Sequence, residues 1–147
     1  MSKLAHVGNM PEILRISRVI KQQPQVELAL QHLFLPGVCV RSMFIPAGTL
    51  LAGKIHKHLH VAILAQGTIR LADDDNAFVV SAPYIAYGKA GIKRLGYAET
   101  DCTFINVLST GLTDIDELEK EMVVDTFEEF EQYLLEEGGH GIPKKII

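Results

Sequence analysis

The chain has 147 residues, 48% hydrophobic and 22% charged with a net charge of −4, which suits one globular domain able to bury a core. No apolar run approaches the roughly 20 residues of a membrane-spanning helix, and the N-terminal MSKLAHVGNMPEIL lacks the apolar stretch and cleavage site of an export signal. No basic run interleaves with aromatics, which speaks against a nucleic-acid groove.

In chain order, Pro11 to Lys21 places Ile13, Ile16 and Ile20 on one helical stripe with Arg15, Arg18 and Lys21 outside it, and Pro11 suits a first helical position. Val26 to Leu35 fits either period and is taken as extended up to the turn at Pro36 and Gly37. Val38 to Ile45 is a strand closed by Pro46, Ala47 and Gly48. Cys39 lies between two valines, far from Cys102, so both read as buried free thiols rather than a disulfide framework.

The next strand carries the densest chemistry, with His56, His58 and His60 alternating with Lys57 and Leu59 and running on through Leu64. In an extended chain Lys54, His56, His58 and His60 share a face at steps of about 6.5 to 7 Å. Neighbouring imidazoles can tilt onto one metal ion, whereas His56 and His60, roughly 13 Å apart in a straight strand, can do so only across a bend. The solvated face of a polar edge strand is the competing reading.

Gln66 and Gly67 turn into Thr68 to Ala72, Asp73 to Asn76 form a hairpin turn, and Ala77 to Ser81 return. The three adjacent aspartates lack the spacing, Gly and Glu of a calcium loop. Pro83 to Tyr87, Arg94 to Tyr97 and Cys102 to Leu108 add short strands, and so many at this spacing predict a sandwich or barrel.

Then the period changes. Thr113 and Asp116 form a variant capping box ahead of Ile115, Leu118 and Met122 at helical spacing. Thr126 and Glu129 open a second helix striped by Phe127, Phe130 and Leu134 and stopped at Gly138 and Gly139. Both helices are placed outside the β unit, and the apolar Ile146 and Ile147 read as a docked end. Charge divides with this change: residues 1–100 hold 11 Lys/Arg against 6 Asp/Glu, and residues 101–147 hold 3 against 12. The acidic part can dock on the basic body or on a partner, or be plain solvated surface. The expected layout is a single domain over 1–147, with an N-terminal helix and arm over 1–35, a β core over 36–110 and an acidic helical extension over 111–147.

The order of glycine turn, histidine strand, Gly67 turn, hairpin and KAGIKRLGY resembles the cupin family, a small jelly-roll β-barrel. The family's first motif runs G, five residues, HxH, three or four residues, E, six residues, G. Setting its glycines on Gly48 and Gly67 puts Lys54 at the first histidine place, His56 at the second and His60 at the glutamate. In the second motif Gly91 is kept, Arg94 stands at the histidine and Ala98 at the asparagine. The resemblance implies a mainly β fold, a jelly-roll barrel or sandwich, to which the helical spacing read above adds a short N-terminal helix and two C-terminal helices. It also implies a metal site, for which His56, His58 and His60 remain as ligands for a divalent transition metal. Lys54 and Arg94, which stay protonated, favour instead a carboxylate or phosphate in the barrel mouth, or Arg94 pairs with a carboxylate of the acidic part.

The layout is also similar to small cupin-like proteins encoded by tailed bacteriophages, which implies a virion accessory protein partnered by capsid protein. The foremost expectation is therefore a non-catalytic assembly protein, a capsid decoration or cement protein that needs no cofactor and forms a homodimer. It would sit in the virion if phage-encoded and otherwise in the cytoplasm. The alternatives are a metal-dependent dioxygenase or isomerase, and a small-anion-binding cupin with histidine as acid or base and Tyr84, Tyr87 or Tyr97 assisting.

Overall fold

A computed structural model describes residues 10–73 and 76–137. It opens with helix α1 (Met10–Gln22), followed by strands β1 (Ala29–Leu35), β2 (Val38–Ile45), β3 (Leu50–Ala52), β4 (Ile55–His56), β5 (His60–Gln66), β6 (Thr68–Ala72), β7 (Ala77–Ser81), β8 (Tyr84–Gly88), β9 (Leu95–Ala98) and β10 (Cys102–Ser109). Helix α2 (Ile115–Met122), the short strand β11 (Val123–Val124) and helix α3 (Phe127–Glu137) complete it. The strands make a five-stranded sheet in the order β1-β2-β10-β5-β8, a four-stranded sheet β3-β9-β6-β7 and the small pair β11-β4. Every pairing is antiparallel.

Alternation explains why the two large sheets face each other. Ile69 and Leu71 of β6, Ile45 of β2, Leu64 of β5, Ala98 of β9 and Cys102 of β10 form the buried core between them. On the far side of the four-stranded sheet, α1 lays Ile13, flanked by Met10, Ile16 and Ile20, over Ala72 and Leu95. The tight turns match the sequence reading: Gly48, Gly67 and Gly91 all have positive φ, near 80–90°. At Gly67 a Cβ would also collide with the Asp101 carbonyl and lie 2.8 Å from the Cys102 sulfur.

Three expectations change. The histidine segment is not one strand: it breaks after His56 and resumes at His60, because β4 leaves to pair with β11 (His56 opposite Val123) while β5 joins the large sheet. The cap of α2 is Asp114 rather than Thr113, its Oδ1 accepting from the Glu117 amide at 2.9 Å. And α2 does not stand apart from the β unit, since its Leu118 and Met122 are buried against Cys39 and Leu108 at one end of the barrel. The second cap is as read, with Thr126 Oγ1 accepting from the Glu129 amide at 3.1 Å. The proposed stop at Gly138 and Gly139 and the apolar Ile146 and Ile147 lie outside the described residues. No described helix is long and apolar enough to cross a membrane.

Candidate functional site

The break after His56 decides the geometry of the site. Lys57 is anchored away from the barrel: its amide donates to the Met122 carbonyl at 2.8 Å, its Nζ donates to the Lys120 carbonyl at 2.7 Å, and that ammonium sits 4.9 Å from the Tyr133 ring centre. The chain thus doubles back between His56 and His60. Their rings stack with centroids 3.9 Å apart and planes 24° apart. His60 Nδ1 lies 3.2 Å from the His58 carbonyl, a bond in which the ring N–H donates. His60 stands opposite Gly88 in the register, and its ring occupies the place a Gly88 side chain would fill.

His58 is sent elsewhere. Its Nε2 lies 3.3 Å from Glu121 Oε1 and its ring meets Tyr133 edge-on at 5.9 Å. It lines a separate cleft between the loop and α3 with Lys57, Glu129 and Glu136. The three histidines named from the sequence therefore do not converge.

His56 and His60 open into a cavity of about 430 Å³ inside the barrel, a volume typical of small-ligand sites. Lys54 and Arg94, the other two residues singled out by the motif, line the same cavity. Lys54 Nζ lies 3.5 Å from Glu119 Oε2 on α2. Arg94 donates from Nη2 to Asp73 Oδ2 at 3.2 Å and sits over the Phe78 ring, so its carboxylate partner comes from the β6–β7 hairpin and not from the acidic C-terminal part. Its Nε is buried with no hydrogen-bond partner among the described residues.

Three contributors escaped the sequence reading. Arg41 lines the cavity and pairs with Glu119 Oε1 at 2.7 Å. Its signal was present, since β2 alternation puts Arg41 on the inward face with Cys39 and Met43. Asn106, opposite Arg41 on β10, has a buried Oδ1 with no hydrogen-bond partner among the described residues. Lys93 is 4% exposed and its Nζ donates to the Gly53 carbonyl at 2.6 Å. In all, six cationic side chains and one carboxylate, Asp125, line the cavity. Its floor is apolar, with Met43, Leu51, Ile69 and Phe104.

These surroundings set the protonation states. Burial first, then the neighbouring His60, Arg41 and Arg94, push His56 down to about 3. Burial also lowers His60, opposed by its bond to the His58 carbonyl and reinforced by Arg94. Lys93 is lowered by burial and by Lys21 nearby. Both shifts favour the neutral imidazole, so the stacked pair is uncharged at neutral pH.

Among solved structures, the barrel is similar to a cupin 2 domain-containing protein from Halorhodospira halophila, at 16% identity over 67% of this chain and 79% of that one, with a TM-score of 0.51. A cupin superfamily protein from Desulfitobacterium hafniense matches at 9% identity over 59% and 81% of the two chains, TM-score 0.50. The chain has the cupin fold. KdgF from a Halomonas species is a further neighbour, at 14% identity over 62% and 86%, TM-score 0.50. No protein-family model and no curated protein matches the chain. At these identities the likeness extends to the fold alone.

The metal that the cupin resemblance implies does not fit the residues present. A metal at about 2.0–2.1 Å from two imidazole nitrogens must lie near both ring planes, whereas the planes of His56 and His60 are close to parallel and 3.9 Å apart at their centres. No group of three His, Cys, Asp or Glu suited to a metal occurs among the described residues. The side chains that complete the cavity wall, Lys54, Lys93 and Arg94, are cationic or hydrogen-bond donors rather than ligands.

Proposed function

We propose that this cupin-fold chain binds a small organic anion in its barrel cavity without a metal. The observation that carries the reading is the cavity wall: a cationic excess, with the buried Arg94 Nε and Asn106 Oδ1 unpartnered among the described residues, set over an apolar floor. A buried donor and a buried acceptor left unpaired each cost free energy that a ligand recovers by bonding to them. A carboxylate with a short apolar body meets the donors and the floor: its charge faces Arg41 and Arg94, its carbon skeleton covers Met43, Leu51 and Phe104, and Asn106 Oδ1, an acceptor, is left for a donor group on that skeleton. The neutral His56–His60 pair stands beside that charge, able to accept a proton when an anion is present.

Thermal melts of the full chain with benzoate, succinate, pyruvate and inorganic phosphate test the reading. At least one organic anion is expected to raise the melting temperature, and Arg94→Gln to remove that rise. A panel with no effect, or a rise that Arg94→Gln leaves intact, would overturn it. Stoichiometric zinc, manganese or iron in protein purified without a tag or chelator would count equally against it.

A second reading is the assembly role, as a decoration or cement protein of a bacteriophage particle. It is favoured by α3, which buries none of its residues and leaves Leu135 79% exposed, an unusual cost for a helix that serves only its own chain. Co-sedimentation with purified capsids, lost in Leu135→Asp, is the expected result for that reading, and failure to co-sediment removes it.

A further inference from the structure

Lys93 is the one charged side chain that is buried among the described residues. A buried ammonium is costly unless a carboxylate pairs with it, yet every ion pair among the described residues uses another cation. Its hydrogen bond goes instead to a neutral group, the Gly53 carbonyl, at 2.6 Å. The Gly53 amide in turn donates to the Arg94 carbonyl at 2.9 Å. Gly53 thus holds the segment ahead of β9 at two points and fixes the place of Nζ. That segment is irregular rather than strand, so the sequence neighbours Lys93 and Arg94 both line the cavity, where a strand would turn them to opposite faces.

A single N–H given to a carbonyl is a bond that a neutral amine makes as well as an ammonium does, and it leaves the nitrogen lone pair available for attack. Burial first, then Lys21 and Lys54, disfavour the charged form, against the opposing pull of Asp125. An amine held in this way beside an arginine matches a ligand whose carbonyl adjoins its carboxylate. We propose, resting on the anion-binding reading of the same cavity, that Lys93 is a nucleophile and that the ligand is a 2-oxo carboxylate held as an imine on Nζ. The lone pair of Nζ attacks the 2-oxo carbon and forms the C–N bond. The carbonyl oxygen takes up the two protons of the amine and leaves as water, giving C=N with no change of oxidation state. The carboxylate faces Arg94. The neutral imidazoles of His56 and His60 line the same cavity and are suited to carry those protons from nitrogen to oxygen.

Borohydride reduction of the full chain with pyruvate at neutral pH tests the proposal, because it turns an imine into a stable secondary amine. Intact-mass measurement is expected to show one pyruvate-derived adduct per chain, and peptide mapping to place it on Lys93. Lys93→Gln, which keeps a donor for the Gly53 carbonyl, should lose the adduct while retaining a cooperative melt and any rise in melting temperature that succinate or benzoate gives the wild type. Arg94→Gln should lower labelling of Lys93 by about tenfold or more, the effect of losing one charged hydrogen bond. Mapping on the wild type decides the site even where a variant is destabilised. A wild type that stays unlabelled, or is labelled only on exposed lysines, would overturn the proposal, and so would labelling that Arg94→Gln leaves unchanged. If an organic anion still raises the melting temperature of an unlabelled wild type, the anion-binding reading stands without the imine, and if none does, both fall.

Discussion

The stacked imidazoles exist because Gly88 has no side chain. His60 and Gly88 face each other across β5 and β8, and a methyl group at Gly88 would overlap the His60 ring. Gly88→Ala is therefore expected to displace His60, separate it from His56 and cost about 1–3 kcal/mol of stability as an overpacked site. Denaturant titration measures the loss, and a changed His60 resonance in the imidazole NMR region reports the displacement. The same pair makes stability pH-dependent. Both imidazoles bind protons more weakly folded than unfolded, so their contribution is complete above about pH 6.5 and is lost as pH falls towards about 3, the folded value for His56. The slope approaches about 1.4 kcal/mol per pH unit for each fully shifted group. Unfolding curves between pH 7.5 and 4.5 should show the decline, and His56→Gln should flatten it. The sequence made the histidines conspicuous but not their pairing. A straight strand separates His56 from His60, and the bend that joins them is made by Lys57 reaching α2 more than sixty residues later, a contact no local spacing encodes.

Elements defined by alternation and turn chemistry were legible, and elements defined by distant partners were not. Strands β2, β6 and β7 fall where β-branched runs and glycine turns put them, and β10 differs by one residue. Gly48, Gly67 and Gly91, the glycines aligned on the family motifs, are three of the positive-φ residues. By contrast β4 and β11 are two residues each and exist only as each other's partner, so neither has a sequence period to find. Helix α2 was recognisable from its spacing, but its place was not: Leu118 at 1% exposure is a core residue at the end of the barrel rather than part of an appendage. Leu118→Ala is expected to cost about 2–5 kcal/mol, as a buried large-to-small change does. Asp114→Ala, which removes only the bond to the Glu117 amide, should cost about 1 kcal/mol. A ranking with Asp114→Ala the more damaging in denaturant unfolding would mean that α2 folds on its own cap and adds little to the core.

At the scale of the whole molecule, the uneven charge of the sequence becomes a clamp between its two parts. Glu119 of the acidic helical segment reaches Arg41 at 2.7 Å and Lys54 at 3.5 Å, both on the cavity wall. One carboxylate thus fastens α2 to the barrel and tempers the positive field of the cavity. Those roles respond in opposite directions to Glu119→Gln. Loss of the clamp should lower folding stability by no more than about 1 kcal/mol, since the groups are partly solvated. Removing a negative charge beside Arg41 should strengthen binding of an organic anion by roughly fivefold, equivalent to about 1 kcal/mol for a charge several ångströms from the ligand in a partly screened site. Calorimetric titration with an anion that stabilises the wild type, alongside denaturant unfolding of both proteins, separates the effects. Lower stability with tighter binding is the expected pair of results. Lower stability with unchanged binding would show that Arg41 clamps the helix and does not face the ligand, leaving Arg94 to hold the anion alone.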